Sequence, residues 1–161
     1  MDKTREITLT VNGDRVTARV PVRMNLVDFL RGELELTGSH VGCEHGVCGA
    51  CTLLVDGHTT RGCLTLAVQA DGAEVVTVEG LAASGRSAAL ARSFTERNAL
   101  QCGFCTPGML ASAVTWVEGG GSADREAIRA HISGNYCRCT GYQSIVDAIV
   151  DVVADKAEDA A

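Results

Sequence analysis

The sequence contains 161 residues, of which 46% are hydrophobic and 21% are charged, and these fractions are typical of a folded globular protein rather than a disordered one. A formal net charge of −6 without a basic stripe excludes a nucleic-acid-binding protein, and the lack of an apolar run of about 20 residues excludes a membrane span. Residues 1–6 lack the apolar core of a secretory signal, so a soluble, cytoplasmic protein of one or two domains is expected.

The first predicted element is a β-hairpin over residues 6–20. Apolar and polar side chains alternate on both sides of Asn12-Gly13, a dipeptide that strongly favours a two-residue hairpin turn. A helix is predicted next, because Asn25 is a suitable N-cap and apolar residues follow it at helical spacing. Gly38 is the expected C-terminal end of this helix.

A cysteine-rich loop follows the predicted helix. Cys43, Cys48 and Cys51 have the C-x4-C-x2-C spacing of plant-type [2Fe–2S] ferredoxins, and Cys63 supplies a fourth thiol after eleven further residues. Each thiolate must reach iron while the backbone passes close to the sulfurs, and the glycines within the loop permit this close approach. The loop therefore predicts a [2Fe–2S] cluster held by these four cysteines.

Short strands surround this loop in the sequence. Residues 51–55 and 58–62 are predicted to pair across an Asp56-Gly57 turn, which returns Cys63 towards the other three cysteines. Residues 75–78 are predicted to form a further short strand. Hairpin, helix, cysteine loop and strands together predict a β-grasp domain over residues 1–79.

The second half of the chain, residues 80–161, is predicted to be helical throughout, which gives an α+β fold class. It opens with a connector of small residues at 80–87, where the composition changes. A four-helix bundle is expected to follow, and its helices are marked by N-caps, helical spacing of apolar residues and glycine stops. The expected helices cover 87–99, Thr106 to Gly119, the N-cap Ser122 to Gly134, and Thr140 to about 156, with a frayed tail after it.

The helical half contains an internal repeat. Cys102 and Cys105 lie between the first two predicted helices, and Cys137 and Cys139 lie between the last two. Each pair stands just before a helix N-terminus, and packing the two helical hairpins about a local two-fold axis brings the four thiolates together at two positive helix ends. This arrangement predicts a second [2Fe–2S] cluster at the end of the bundle.

Disulfide bonds and zinc are the alternative uses of the eight cysteines. A cytosolic chain keeps its thiols reduced, which disfavours disulfides. The first set lacks the two short knuckles typical of structural zinc, whereas the second set, C-x2-C with a distant C-x-C, is compatible with zinc as well as with iron. His45 is interpreted as a solvent-facing loop residue rather than a ligand, since four cysteines are available.

Residues outside the cysteine motifs show no catalytic pattern. The sequence contains no nucleophile triad candidate, no Gly-rich dinucleotide loop and no phosphate-binding loop. His40, His58 and His131 are interpreted as surface residues, and Phe94 and Trp116 as core packing. The chain is expected to carry electrons without a substrate site of its own, so that the chemistry takes place on another subunit.

Three motifs resemble those of one known family. They are Val41-Gly-Cys43-Glu-His-Gly-Val-Cys48-Gly-Ala-Cys51, Gln101-Cys-Gly-Phe-Cys-Thr-Pro-Gly-Met109 and Gly134-Asn-Tyr-Cys-Arg-Cys-Thr-Gly-Tyr142. They are similar to the motifs of the iron–sulfur subunit of the molybdenum hydroxylases, the family of xanthine dehydrogenase, aldehyde oxidoreductase and carbon monoxide dehydrogenase. The resemblance covers about residues 5–155, and it implies a plant-type ferredoxin-like domain and a helical domain with one [2Fe–2S] cluster each.

The same resemblance implies two partners: a large subunit that binds molybdopterin, commonly as its cytosine dinucleotide, and a medium subunit that binds FAD. A heterotrimer or a dimer of heterotrimers is expected. Electrons from oxidative hydroxylation of an N-heteroaromatic, aldehyde or related substrate would pass to the helical-domain cluster, then to the ferredoxin-like cluster, then to FAD. Gln101 and Cys139 match family residues that lie against the pterin. A free-standing two-cluster electron carrier is the alternative function.

Overall fold

The computed structural model describes residues 3–159. Within them a sheet and one helix come first, and a run of helices follows, so the α+β architecture is confirmed. The strands are β1 Thr4–Val11, β2 Asp14–Pro21, β3 Thr52–Val55, β4 His58–Arg61 and β5 Glu74–Val76. The α-helices are α1 Leu26–Gly32, α2 Val78–Ala83, α3 Ala88–Glu96, α4 Thr106–Glu118, α5 Arg125–Ile132 and α6 Gln143–Asp159, and a 3-10 helix covers Ala67–Ala70.

The strands form one mixed sheet in the order β2-β1-β5-β3-β4. β1 and β2 are antiparallel neighbours on either side of Asn12-Gly13, so the predicted hairpin is confirmed. β5 lies parallel to β1 and antiparallel to β3. β3 and β4 pair across Asp56-Gly57, as the sequence predicts. β4 is consequently an edge strand, and β2 is the opposite edge.

Helix α1 closes the first hydrophobic core against the sheet. Its side chains Leu26, Phe29 and Leu30 are fully buried, because apolar residues recur on one helical face. The Asn25 side chain accepts a 2.8 Å hydrogen bond from the Asp28 N–H, which confirms the predicted N-cap. The sheet residues of this core are Ile7, Leu9, Val11, Val20, Leu53 and Val75.

The prediction that this helix continues towards Gly38 is wrong. The helix ends at Gly32, and Arg31 donates to the carbonyl oxygens of Thr37 and Ser39, at 2.6 and 2.9 Å, which folds the following segment back. The Gly38 N–H donates instead to a carboxylate oxygen of Glu79 at 2.7 Å. A side-chain contact across 41 residues therefore fixes a segment that local propensity assigned to the helix.

The first half of the predicted small-residue connector at 80–87 is helical. β5 ends at Val76, so Thr77 is not in a strand, and α2 occupies Val78–Ala83. Alanine and leucine favour helix, and Leu81 is completely buried, so burial and propensity act together here. Ser84 ends the helix.

Two helix starts in the second half also differ from the sequence prediction. Asp124, not Ser122, is the N-cap of α5, because its carboxylate accepts a 2.8 Å hydrogen bond from the Ala127 N–H. Helix α6 begins at Gln143 rather than at Thr140, and Tyr142 before it has a φ of 69° that is incompatible with a right-handed helix. Helix α6 also extends beyond residue 156, where a frayed tail was expected.

The second hydrophobic core lies among the helices. Helix α3 packs along α6, and α4 contacts α3, α5, α6 and strand β3. Phe94 is buried there as predicted, and Leu54 of β3 belongs to the same core, so the sheet and the helices share packing. Burying a side chain of this size contributes about 2 kcal/mol. In the part of the chain that the structure describes, no helix is long and apolar enough to cross a bilayer.

Candidate iron–sulfur sites

The first set of cysteines lies where the long loop after α1 meets the β3–β4 hairpin. Cys51 directly precedes β3, and Cys63 follows β4 by two positions. Antiparallel pairing of Thr52 with Arg61 brings these two cysteines together, so that Cys63 is close enough to influence the thiol of Cys51. Cys43 and Cys48 form the second pair of this set, and the backbone N–H of Cys48 reaches the Cys43 sulfur.

The surroundings of the first set shift the pKa values of two of its thiols in opposite directions. The Cys48 N–H donates to the Cys43 sulfur at 3.4 Å, and with further backbone N–H groups it lowers the pKa of the Cys43 thiol to about 6. Burial raises the pKa of Cys51 to about 11. Metal binding requires thiolates. The surroundings therefore favour the metal-binding form of Cys43 and disfavour that of Cys51.

The second set lies between helices, as the repeat predicts. Cys102 and Cys105 precede α4, and Cys137 and Cys139 lie between α5 and α6. The sulfurs of Cys102 and Cys139 are 3.5 Å apart, and Cys137 lies close enough to Cys105 to influence its thiol. Two pairs from two helix junctions therefore meet at one end of the helical part.

Hydrogen bonds also lower the pKa of one thiol of the second set. Burial by itself disfavours the Cys137 thiolate, but donation from the Thr140 hydroxyl at 3.1 Å and from backbone N–H groups outweighs it and lowers the pKa of Cys137. Burial raises the pKa of Cys105 to about 12. Each set thus contains one thiol whose pKa is lowered by hydrogen bonds and one whose pKa is raised by burial.

The eight cysteines approach one another in pairs, and their number and residue type can be compared with the donor set of a two-iron cluster. Over residues 3–159, no group of three or more His, Cys, Asp or Glu side chains is arranged to hold a single metal ion. All eight cysteines are free thiols that approach one another in twos. A [2Fe–2S] cluster takes four cysteines for two irons, and a pair of thiols for each iron fits this requirement.

The structure also locates the other predicted site residues. Gln101 is exposed beside the exposed Cys102, at the outer edge of the second set. His45 is exposed, and its Nδ1 lies 2.5 Å from the carbonyl oxygen of Cys43. His40 is only half-exposed: its ring stacks on Phe104 with centroids 4.7 Å apart, and its Nδ1 lies 2.8 Å from the Phe104 carbonyl oxygen.

Sequence reasoning did not predict any contact with the first set of cysteines for residues 134–136, which we call the strap. Asn135 is buried, and its side-chain amide donates to the Gly49 carbonyl at 3.0 Å and to the Thr52 hydroxyl at 3.1 Å. The side-chain carbonyl oxygen of Asn135 accepts a 2.8 Å hydrogen bond from the Ser112 hydroxyl. The Asn135 side chain therefore forms hydrogen bonds both to the cysteine loop and β3, through Gly49 and Thr52, and to helix α4, through Ser112.

The backbone of the strap makes two further bonds to the first set. The Tyr136 N–H donates to the Cys48 carbonyl at 2.8 Å, and Arg61 donates to the Gly134 carbonyl at 2.6 Å. These bonds connect the residue before Cys137 directly to a cysteine of the first set. The Gly134-Asn-Tyr segment belongs to the third family motif, and this membership is the only sequence feature that could have pointed to its importance. Within that motif, only the two cysteines have an obvious chemical role.

Each half of the chain matches a known protein family. Residues 9–82 match the family described as 2Fe-2S iron-sulfur cluster binding domain. Residues 77–150 match the family described as [2Fe-2S] binding domain. The two matches together span both cysteine sets.

Individual relatives are similar over almost the whole chain. Caffeine dehydrogenase subunit gamma of Pseudomonas sp. (strain CBB1) is 56% identical over 150 residues, which cover 91% of this chain and 89% of the relative. The nicotine 6-hydroxylase small subunit of Paenarthrobacter nicotinovorans is 51% identical over 146 residues, covering 91% and 88%. The crystal structure of quinoline 2-oxidoreductase from Pseudomonas putida 86 superimposes with a TM-score of 0.86 at 47% identity, covering 97% of both chains. The chain therefore belongs to the family of iron–sulfur small subunits of the molybdenum hydroxylases.

Proposed function

We propose that this chain is the electron-relay subunit of a molybdenum hydroxylase and that it holds two [2Fe–2S] clusters. The single observation that carries the proposal is the presence of two four-cysteine sites, each made of two thiol pairs and joined by the strap. The first site is formed by Cys43, Cys48, Cys51 and Cys63, and the second by Cys102, Cys105, Cys137 and Cys139. A bound [2Fe–2S] cluster supplies reversible one-electron transfer.

The domain division predicted from the sequence remains part of the proposal. We infer a ferredoxin-like β-grasp domain at residues 1–79 and a helical domain at 80–161, with the four longer helices as a bundle. The separate hydrophobic cores on the two sides of β3 support this division. The contribution of Leu54 to the helical core supports a fixed orientation of the two domains.

Family membership supports a proposal for the partners and for the direction of electron flow. We infer a large subunit with molybdopterin, commonly as the cytosine dinucleotide, and a medium subunit with FAD, in a heterotrimer or a dimer of heterotrimers. Electrons would enter at the second site, where Gln101 is exposed and Cys139 lies at the same edge, and leave from the first site to FAD. The names of the relatives, subunit gamma and small subunit, support such an assembly.

The chain itself is proposed to have no substrate site, so the substrate is chosen by a partner subunit. The relatives named for caffeine, nicotine and quinoline favour an N-heteroaromatic substrate over an aldehyde. We also propose that the complex acts in the cytoplasm. Its role as part of an oxidoreductase is to remove electrons, one at a time, from the site of hydroxylation.

Metal analysis and EPR of the purified full chain test the two-cluster proposal. We expect about four irons and four sulfides per chain, and two distinct signals after reduction with dithionite. Zinc in place of iron, or half of that iron with a single signal, would contradict the proposal. Purification through a tag on this chain separates the two candidate functions: a relay subunit retains a molybdopterin subunit and a flavin subunit, whereas a free-standing carrier is recovered alone.

A further inference from the structure

Arg61 connects the two cysteine sites through its guanidinium group. It is the last residue of β4 and lies two positions before Cys63. One nitrogen donates to the hydroxyl of Thr52, the residue that follows Cys51, and another donates to the Gly134 carbonyl of the strap at 2.6 Å. A single side chain thus bonds the first site to the segment that leads into Cys137.

The positive charge of Arg61 has no carboxylate partner among residues 3–159. Other arginines of the chain are paired, for example Arg86 with Glu118 and Arg97 with Asp151. Arg61 is half-buried, and its two acceptors are neutral oxygens that satisfy its hydrogen bonds without compensating its charge. A partly buried, uncompensated cation in a chain of net charge −6 calls for an anionic partner.

We propose that Arg61 is a positioning residue that serves both sites: its planar fork holds the strap against the first site, and its charge makes the neighbouring clusters easier to reduce. The inference rests on the proposed function, because a cluster with four thiolates is anionic and gains a further negative charge on reduction. A nearby cation therefore stabilises the reduced state more than the oxidised state. Arginine suits this position because its fork reaches two acceptors at once.

The proposed effect of the Arg61 charge is tested by measuring the reduction potentials of the two clusters. EPR follows these potentials in the full chain loaded with iron and sulfide. Arg61→Gln should lower the potential of at least one cluster, while iron content stays at the wild-type level. A unit charge at about 12 Å in an effective dielectric of about 20 changes a one-electron equilibrium roughly tenfold, which equals about 59 mV. Arg19→Gln is the matched control, since Arg19 is exposed on β2 at the opposite edge of the sheet.

Arg61→Lys separates the charge from the fork. Arg61→Lys should keep both reduction potentials near the wild-type values, because the positive charge remains. Hydrogen exchange of the Tyr136 amide should become at least several-fold faster, because a lysine cannot donate to both acceptors at once. Equal potentials in Arg61→Gln and Arg19→Gln, or an equal potential shift in Arg61→Gln and Arg61→Lys, would overturn the electrostatic role. Unchanged exchange of the Tyr136 amide in both Arg61 variants would overturn the role in holding the strap.

The design also distinguishes failure of this inference from failure of the proposed function. If the wild-type chain lacks two clusters, the proposed function fails. If both clusters are present and the variants behave like the Arg19→Gln control, only the role of Arg61 fails. Should Arg61→Gln not load its clusters, Arg61→Lys decides the question, since the inference requires that it loads both and retains their potentials.

Discussion

The side-chain amide of Asn135 donates a 3.0 Å hydrogen bond to the main-chain carbonyl of Gly49. Gly49 lies between two cysteines of the first site, and Asn135 lies two residues before Cys137 of the second site. The two residues are 86 positions apart in the sequence, yet the bond is completely buried. The distance between the two sites is therefore set by specific polar contacts and not only by general packing of the sheet against the helices.

Replacement of Asn135 by alanine should destabilise the protein by about 3 kcal/mol, because Gly49, Thr52 and Ser112 each lose a buried hydrogen-bond partner. Ser112→Ala removes one bond of the same network and should cost about 1 kcal/mol. Urea unfolding of the full chain, followed by circular dichroism, measures both changes. Equal losses in the two variants would show that the amide of Asn135 does not connect the domains.

Alanine at Gly49 should be far more destabilising than alanine at Gly57. Both glycines have a positive φ, 73° and 79°, so alanine is strained by about 1–2 kcal/mol at either position. A Cβ at Gly49 would also lie 2.3 Å from the Gly134 carbonyl oxygen, whereas a Cβ at Gly57 meets nothing within 4 Å.

The clash at Gly49 should add at least about 2 kcal/mol, since it forces the strap away from the cysteine loop. Urea unfolding of the two variants gives the difference, and the EPR signals show whether the first cluster still assembles. Similar unfolding midpoints for Gly49→Ala and Gly57→Ala would mean that the loop and the strap can separate without cost.

The parts of the fold that depend on neighbouring residues could be predicted from the sequence. The Asn12-Gly13 hairpin, the Asn25 cap and the cysteine pairs at helix junctions all follow from patterns a few residues long. The strap could not be predicted in this way, because Asn135 and Arg61 have ordinary local surroundings and their partners are distant in the sequence. Long-range polar contacts leave no periodic signal.

The start of α5 shows how two adequate local signals compete. Ser122 and Asp124 are both suitable N-caps, and the structure uses Asp124, whose carboxylate accepts from the Ala127 N–H at 2.8 Å. Asp124→Ala should therefore cost about 1 kcal/mol, whereas Ser122→Ala should change the free energy of unfolding by less than about 0.5 kcal/mol. Urea unfolding compares the two exposed sites, and the reverse order would place the cap at Ser122.

The metal-free chain should react with iodoacetamide first at Cys43. Its pKa of about 6 makes it mostly thiolate at pH 7, while Cys51 and Cys105, with pKa values of about 11 and 12, stay protonated. Labelling of Cys43 should therefore slow as the pH falls through 6, and labelling of Cys51 and Cys105 should remain slow throughout the neutral range because their thiols stay protonated. Short pulses followed by peptide mass spectrometry measure these rates, and loading with iron and sulfide should protect Cys43. Equal labelling of the three cysteines at pH 7 would contradict the lowered pKa.

Gln101 is the residue through which the proposed contact with the molybdopterin subunit can be tested separately from cluster assembly. Its side chain is exposed and lies outside both cysteine sets, so Gln101→Ala should leave iron content and both EPR signals unchanged. In the assembled complex, loss of one hydrogen bond worth about 1.4 kcal/mol should slow the reduction of the clusters by substrate about tenfold. Stopped-flow absorbance measures this rate, and Gln69→Ala is the matched control because Gln69 is exposed on the 3-10 helix of the sheet domain. A wild-type rate in Gln101→Ala would exclude this glutamine from the path of electron entry, and a slow rate in both variants would indicate a loss of assembly instead.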